Sequence, residues 1–156
     1  MAKGTPATVA LEKAGVAFTL HQYGYDPGDA GVGVQAAQSL GIEPARLLKT
    51  LMVRAGAVNL CVLVSTDRTI NLKRLAAATG AKDAALMAPA EAERVTGYHV
   101  GGISPFGQKK RVRTIIDRTA LGFATVIVNG GRRGLEIEVQ PADLVRLLDA
   151  VAMDVT

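Results

Sequence analysis

The chain of 156 residues has no tryptophan, one cysteine, two histidines and an aromatic fraction of only 4%. Each shortage closes a class of function. A lone thiol forms no internal disulfide, and one cysteine with two histidines at no metal-ligand spacing gives no zinc site, so chemistry without a metal is expected. Cys61 stands in the apolar run Asn59-Leu-Cys-Val-Leu-Val64, where a small core residue on a buried strand is expected rather than a nucleophile. No apolar run is long enough to span a bilayer, and the opening Met-Ala-Lys-Gly-Thr-Pro holds no apolar signal segment. A soluble, cytoplasmic protein without a membrane partner is the expectation. The chain also lacks a Walker or dinucleotide-binding glycine pattern, a G-x-S-x-G elbow, and a serine with an evident histidine and acid.

What the chain does have is aliphatic. With 49% apolar residues and few aromatics, the core must be built of alanine, valine, leucine and isoleucine. The length suits one compact domain, residues 1–156, that buries about two thirds of the surface its unfolded form exposes. The net charge is +4 and the isoelectric point about 9.5. Lys109, Lys110, Arg111 and Arg113 follow one glycine-rich stretch, and Arg132-Arg133 sit in a second. Basic clusters beside irregular backbone suit phosphate binding, although a solvated basic face carries the same charge.

In chain order, Thr5-Pro6 reads as an N-cap and first helical residue, with Val9, Leu11 and Ala14 as the apolar stripe and Gly15 as the stop. Residues 16–23 alternate, with Val16, Phe18 and Leu20 on one face and Thr19, His21 and Tyr23 on the other. A loop from Gly24 to Gly33, a candidate lid, precedes a helix from Val34 to Leu40. Pro44 opens a further helical turn leading into a strand from Lys49 to Arg54. A hairpin at Ala55-Gly-Ala returns the chain as Val58 to Ser65. Asn71 caps a helix through Ala78, Ala84 to Met87 is a short strand, and Pro89 starts a helix to Val95. Strands are expected at Val112 to Asp117, Ala124 to Asn129 and Leu135 to Val139. A helix from Pro141 to Val151, with Leu144, Leu147, Leu148 and Val151 inward, closes the chain. Hairpins surrounded by helices predict an α+β domain with a mixed, largely antiparallel central sheet.

The stretch Thr96-Gly-Tyr-His-Val-Gly-Gly-Ile-Ser-Pro-Phe-Gly-Gln-Lys-Lys-Arg111 is too irregular for a helix or strand, yet carries more apolar residues than a solvated linker. It reads as an ordered loop packed on a core. Gly101-Gly102 lets the backbone take positive φ and lets a ligand oxygen approach its N–H groups, although Gly-Gly is also an ordinary tight turn. Lys49 enters a strand among apolar residues, where a lysine is either directed at a partner or simply at the surface.

Together, Lys49-Thr-Leu51, the Thr96 to Arg111 block and Asn129-Gly-Gly-Arg-Arg-Gly-Leu-Glu-Ile-Glu138 resemble the YbaK-type family of aminoacyl-tRNA deacylases, in particular the bacterial Cys-tRNA(Pro) deacylases. The resemblance covers nearly the whole chain. It implies a trans-editing enzyme, related to the editing domain of bacterial prolyl-tRNA synthetases, that hydrolyses cysteine misattached to proline tRNA with no cofactor. Its partners would be aminoacylated tRNA(Pro) and prolyl-tRNA synthetase, with no DNA. The family's lysine falls on Lys49 and its following threonine on Thr50, its two site tyrosines on Tyr23 and Tyr98, and its backbone glycine on Gly101. Gly102, Ile103, Ser104, Asn129, Gly130 and Glu136 would bind substrate, and Lys109, Lys110, Arg111, Arg132 and Arg133 the tRNA. Two positions depart: Asn129 stands where the cysteine-specific members carry serine, and Glu136 where they carry aspartate. Both keep hydrogen-bonding chemistry while changing reach and pocket volume.

An aminoacyl ester is already activated, so a deacylase must chiefly hold the carbonyl, stabilise the oxyanion and supply a nucleophile. No protein nucleophile is evident in the sequence. The resemblance implies that the substrate's own cysteine thiol attacks its ester, which would select by chemistry where a pocket discriminates by only about 1–3 kcal/mol per methylene. Three other readings stay open: a deacylase for another small amino acid such as alanine, a non-catalytic tRNA- or synthetase-binding module, and a generic phosphate binder.

Overall fold

In the computed structural model, which describes residues 4–24 and 32–156, helix α1 (Pro6–Ala14) begins at the expected cap. The Thr5 N–H donates to Thr8 Oγ1 at 2.9 Å and the Thr8 N–H to Thr5 Oγ1 at 3.2 Å. Pro6 sits in the first turn, where no donor is needed, and Gly15 ends the helix at φ 68°. The Thr5 hydroxyl also donates to the Gly130 carbonyl at 2.5 Å, which ties the start of α1 to the second glycine turn.

The elements that follow are β1 (Thr19–Gln22), α2 (Val32–Leu40), β2 (Leu48–Ala55), β3 (Val58–Ser65), α3 (Leu72–Thr79), β4 (Ala84–Leu86) and α4 (Pro89–Thr96). After them come β5 (Arg113–Asp117), β6 (Val126–Asn129), β7 (Leu135–Val139), α5 (Pro141–Leu148) and β8 (Val151–Met153). The mixed, largely antiparallel sheet is present as two sheets. One is three-stranded and antiparallel in the order β1-β7-β6; the other is five-stranded in the order β4-β2-β3-β5-β8, antiparallel up to β3 and parallel beyond it. A single parallel bridge between Leu47 and Ile127 joins them. No helix among the described residues is long and apolar enough to cross a membrane.

The apolar run of β3 follows from burial on both faces. Cys61 and Leu63, with Met52 of β2 and Ile116 of β5, join the core shared with α1, α4, α5 and the small sheet. Leu60, Val62 and Val64 pack with Val53, Ile115 and Leu75 of α3 on the other side. Cys61 is thus a core residue, its thiol pushed up to about 12 by burial.

Three expectations need correction. The alternating segment 16–23 forms only a four-residue strand, and Leu20, expected inward, is 41% exposed although its partner on β7 is the buried Ile137. Position accords with this: β1 is the outer strand of its sheet, and no described strand pairs with its free edge. The last helix stops at Leu148 rather than Val151, because Asp149 takes the left-handed conformation at φ 51°. The Ala150 N–H closes the turn on the Val145 carbonyl at 2.9 Å. Val151 then starts β8, which pairs in parallel with β5 instead of packing inward from a helix. The loop expected to run to Gly33 ends earlier, since α2 already begins at Val32; its residues 25–31 lie outside the described residues, so a lid there has no structural account.

Candidate active site

The bridge between Leu47 and Ile127 sets the start of β2 against β6, and a cavity of about 170 Å³ opens at this seam. The strand β2 contributes Lys49 and Thr50, the first glycine loop Val100, Gly101 and Ile103, and the small sheet Asn129 and Glu136. Three segments far apart in sequence thus meet at one cavity. The volume is below the ~300–1,000 Å³ of pockets for drug-sized ligands. It suits a small amino-acid end, with any nucleotide outside.

Strand alternation gives Lys49 and Thr50 different surroundings. Thr50 shares its pleat with Leu48 and Met52 of the inner core, and its Oγ1 is buried with no hydrogen-bond partner. Lys49 sits on the opposite pleat at the cavity rim, where its ammonium donates to the Arg68 carbonyl at 2.6 Å. Desolvation holds the lysine below its ordinary value, against the pull of the nearby Asp67 carboxylate. The lysine therefore has a definite partner, a loop carbonyl that a substrate oxygen could replace.

The two glycine turns are held together by Asn129. Its Nδ2 donates to the Arg132 carbonyl at 3.2 Å and the Gly101 carbonyl at 3.5 Å, and its Oδ1 accepts the Gly131 N–H at 2.7 Å. The side chain lines the cavity, yet its amide is committed to bracing the walls. Gly101 has φ 91°, a conformation that favours glycine, and a Cβ there would lie 2.3 Å from Arg133 Nε, so a larger residue would also have to push that guanidinium aside. The Gly101 N–H donates to nothing among the described residues, whereas the Gly102 N–H is taken by the His99 carbonyl at 2.8 Å. Of the paired donors expected from Gly101-Gly102, only Gly101 can face a ligand. Gly102 serves instead as a close-approach point, since a Cβ there would meet the Arg132 Cα at 2.7 Å.

Glu136 is the most unusual group in the cavity. It is 3% exposed, it accepts no hydrogen bond from any described residue, and burial pushes its carboxyl up to about 8. Two residues along β7, Glu138 behaves oppositely. The Thr125 hydroxyl, donating at 2.6 Å, and the His21 ring at 2.8 Å hold it below the usual carboxylate range, with Arg46 at 3.0 Å adding charge. Arg46 also donates to the Thr125 carbonyl at 3.1 Å, so this cluster clamps the turn before β2 onto the small sheet and fixes the seam. Sequence reading missed the clamp. Only His21, on the alternating segment, carried any signal for it.

Several expected site residues lie elsewhere. Tyr98 is 5% exposed and its hydroxyl donates to the Phe106 carbonyl at 2.6 Å, so it is a core post that shapes the glycine loop from behind and not a cavity wall. Ser104 is fully buried beneath the same loop, its Oγ accepting the Phe106 N–H at 3.2 Å. Gly130 is spent on the hairpin, its N–H donating to the Leu135 carbonyl at 2.8 Å. Tyr23 packs against Ala36, Ala37, Leu47 and Ile127 next to the seam, outside the cavity lining. Tyr98, Ser104 and Gly130 were placed in the site by their motifs, but the chain uses them to support the glycine turns. Arg132 and Arg133 flank a shallow cleft with His99 that meets the cavity at Val100. Exposed Lys109, Lys110 and Arg111 lie apart from it, Arg111 at a separate groove between α1, α5 and the 105–108 segment.

Comparison with known proteins places this architecture. The profile of the aminoacyl-tRNA editing domain matches residues 30–147. A protein of Enterococcus faecalis named as a Cys-tRNA(Pro)/Cys-tRNA(Cys) deacylase, EbsC, is 34% identical over 77% of this chain and 74% of its own length. The chain belongs to the aminoacyl-tRNA editing domain family. Editing domains of this family act by deacylation, hydrolysis of the ester that joins an amino acid to tRNA. The proline–tRNA ligase of Acidithiobacillus ferrooxidans is 34% identical over 63% of the chain, which spans only 17% of that enzyme. Among solved structures, one described as a trans-editing enzyme for prolyl tRNA synthetase superposes with a TM-score of 0.86 over 97% of this chain and 94% of its own, at 24% identity. The hypothetical protein APE2540 does so with a TM-score of 0.87 over 97% and 99%, at 26% identity. The editing-domain fold is therefore shared across the whole chain.

Proposed function

We propose that this editing domain removes cysteine from mischarged Cys-tRNA(Pro) in the cytoplasm, in trans to prolyl-tRNA synthetase, and that the substrate's thiol is the nucleophile. The observation that carries the reading is the composition of the cavity. Among the described residues no cysteine, serine or histidine lines it; the two hydroxyls found there belong to Thr66, which donates to the Pro44 carbonyl at 2.9 Å, and to Thr50, which has no described base beside it. The cavity thus has a donor for the carbonyl and no activated attacking group.

In this mechanism the ester carbonyl rests against the Gly101 N–H, which donates a hydrogen bond to the developing oxyanion. Loss of one such donor typically costs about 10²–10³-fold in rate. The cysteine sulfur bonds to the carbonyl carbon, the carbon–oxygen ester bond breaks, and the proton that left the thiol ends on the terminal ribose hydroxyl of the tRNA. A cyclic thiolactone departs and opens in water. Lys49, at the rim, leaves the Arg68 carbonyl to meet the terminal ribose and phosphate. Arg132 and Arg133 lie on the side where the acceptor end would leave the cavity. Asn129 keeps the two glycine turns at the spacing this pose needs, and Tyr98 holds the loop from behind. Replacing cysteine by S-methylcysteine on the same tRNA tests the step: deacylation should fall at least 100-fold. Equal rates for the two esters would place the nucleophile in the protein or in water.

A further inference from the structure

Among the described residues, three polar groups of the cavity have no hydrogen-bond partner: the Thr50 hydroxyl, the Gly101 N–H and the Glu136 carboxyl, of which the Thr50 hydroxyl is fully out of solvent. The first two suit a neutral carbonyl or ribose oxygen. A buried carboxyl is different, because an ionised carboxylate in an apolar wall needs a cation with donors of its own. Among the described residues none is supplied. Across β1, His21 is engaged with Glu138; on β2, Lys49 is engaged with the Arg68 carbonyl. Across β6, the Asn129 amide is bonded to the Arg132 and Gly101 carbonyls. Along β7, Glu138 binds Arg46 and points its charge to the clamp. Over the glycine loop, Arg133 donates to the Val100 carbonyl at 3.1 Å.

Resting on the deacylase reading above, we propose that Glu136 is the receptor for the substrate's α-ammonium, and that the site thereby selects aminoacyl esters with an unblocked amine over N-acylated ones. The α-ammonium is the cation that every aminoacyl ester carries, one carbon from the carbonyl that Gly101 holds. Its three donors match an acceptor-only carboxylate, and a charge-assisted pair out of water is strong and directional. An N-acyl group removes the charge and adds bulk to a cavity of about 170 Å³. In the empty site at neutral pH the carboxyl keeps its proton, since burial pushes it up to about 8. Binding exchanges that proton, released to water, for the ammonium.

The test compares Cys-tRNA(Pro) with N-acetyl-Cys-tRNA(Pro), whose thiol is free, together with the corresponding alanine esters. Wild type and Glu136→Gln are assayed, with a thermal melt of each as a folding control. Wild type is expected to lose at least 100-fold in kcat/KM on the acetylated form of whichever ester it cleaves. Glu136→Gln is expected to shrink that gap below tenfold, with the loss on the free-amine ester falling mainly on KM. For wild type the KM of the free-amine ester rises as pH falls from 8 to 6, and for the variant it stays flat. Equal turnover of blocked and free esters by wild type, or an undiminished gap in Glu136→Gln, overturns the proposal. Absence of turnover on all four esters refutes the deacylase reading itself and the proposal with it.

Discussion

Replacing Glu136 by glutamine should stabilise the protein, and by an amount that grows with pH. The carboxyl titrates at about 8 in the folded chain against 4.5 when exposed, and burial is the cause. Because the folded value is raised, the group contributes its full stability below pH 4.5 and loses it progressively as pH rises through 8. At 1.36 kcal/mol per tenfold change, the cost of ionising it reaches about 5 kcal/mol above pH 8 if no water enters, and about half that if water reaches the carboxyl through the cavity mouth. Glutamine has the same shape and no charge to bury. Glu136→Gln should therefore match wild type at pH 4.5 and exceed it by about 2–5 kcal/mol at pH 8.5. For a chain of this size, each kcal/mol shifts Tm by about 2–4 °C, so the difference is readily measured. Urea or thermal melts of both proteins at pH 4.5, 7 and 8.5 supply the comparison. A difference that does not change with pH, or a variant less stable at pH 8.5, would refute the claim that an unpartnered carboxyl is buried in the cavity wall.

Further outcomes follow from the same geometry. Tyr98→Phe removes a hydroxyl bonded to the Phe106 carbonyl and leaves that acceptor buried. It should cost about 1–3 kcal/mol in urea melts while changing deacylation less than threefold, unlike a catalytic tyrosine. Gly101→Ala holds a side chain at φ 91° and has to push the Arg133 guanidinium aside. The strain, about 1–3 kcal/mol, should displace the carbonyl donor and lower kcat at least tenfold in single-turnover assays. Reversing Arg132 and Arg133 to glutamate should weaken tRNA binding and flatten its dependence on salt more than the same change at Lys109 and Lys110, which lie apart from the cavity.

Local rules made much of the fold legible. Thr5-Pro6 and Gly15 bound a helix because capping and left-handed termination depend on neighbouring residues alone. The hairpin of β2 and β3 follows from a short turn between apolar runs. Pairing between distant strands was not legible: β8 exists because three C-terminal residues find the free edge of β5, and no local signal marks that edge. In the site, Lys49, Gly101, Asn129 and Glu136 were found because they lie in distinctive motifs, and the cavity brings them together. Tyr98 and Ser104 lie in the same motifs yet support the loop from below, since their hydroxyls bond its own backbone and neither lines the cavity, a distinction that one-dimensional order does not carry. Asn129 proved to be a brace as well as a wall, since its partners are carbonyls 28 residues and 3 residues away. The clamp of Arg46, Thr125, His21 and Glu138 draws on four separate segments and had no contiguous signature.

The measurement that bears most directly on the account is deacylation of Cys-, Ala- and Ser-tRNA(Pro) by wild type and Lys49→Ala under single-turnover conditions. The cysteine ester should be cleaved at least 100-fold faster than the other two, and Lys49→Ala should lose most of that rate. Cleavage of the alanine ester as fast as the cysteine ester would contradict attack by the substrate's thiol, and an unimpaired Lys49→Ala would remove the lysine from the site.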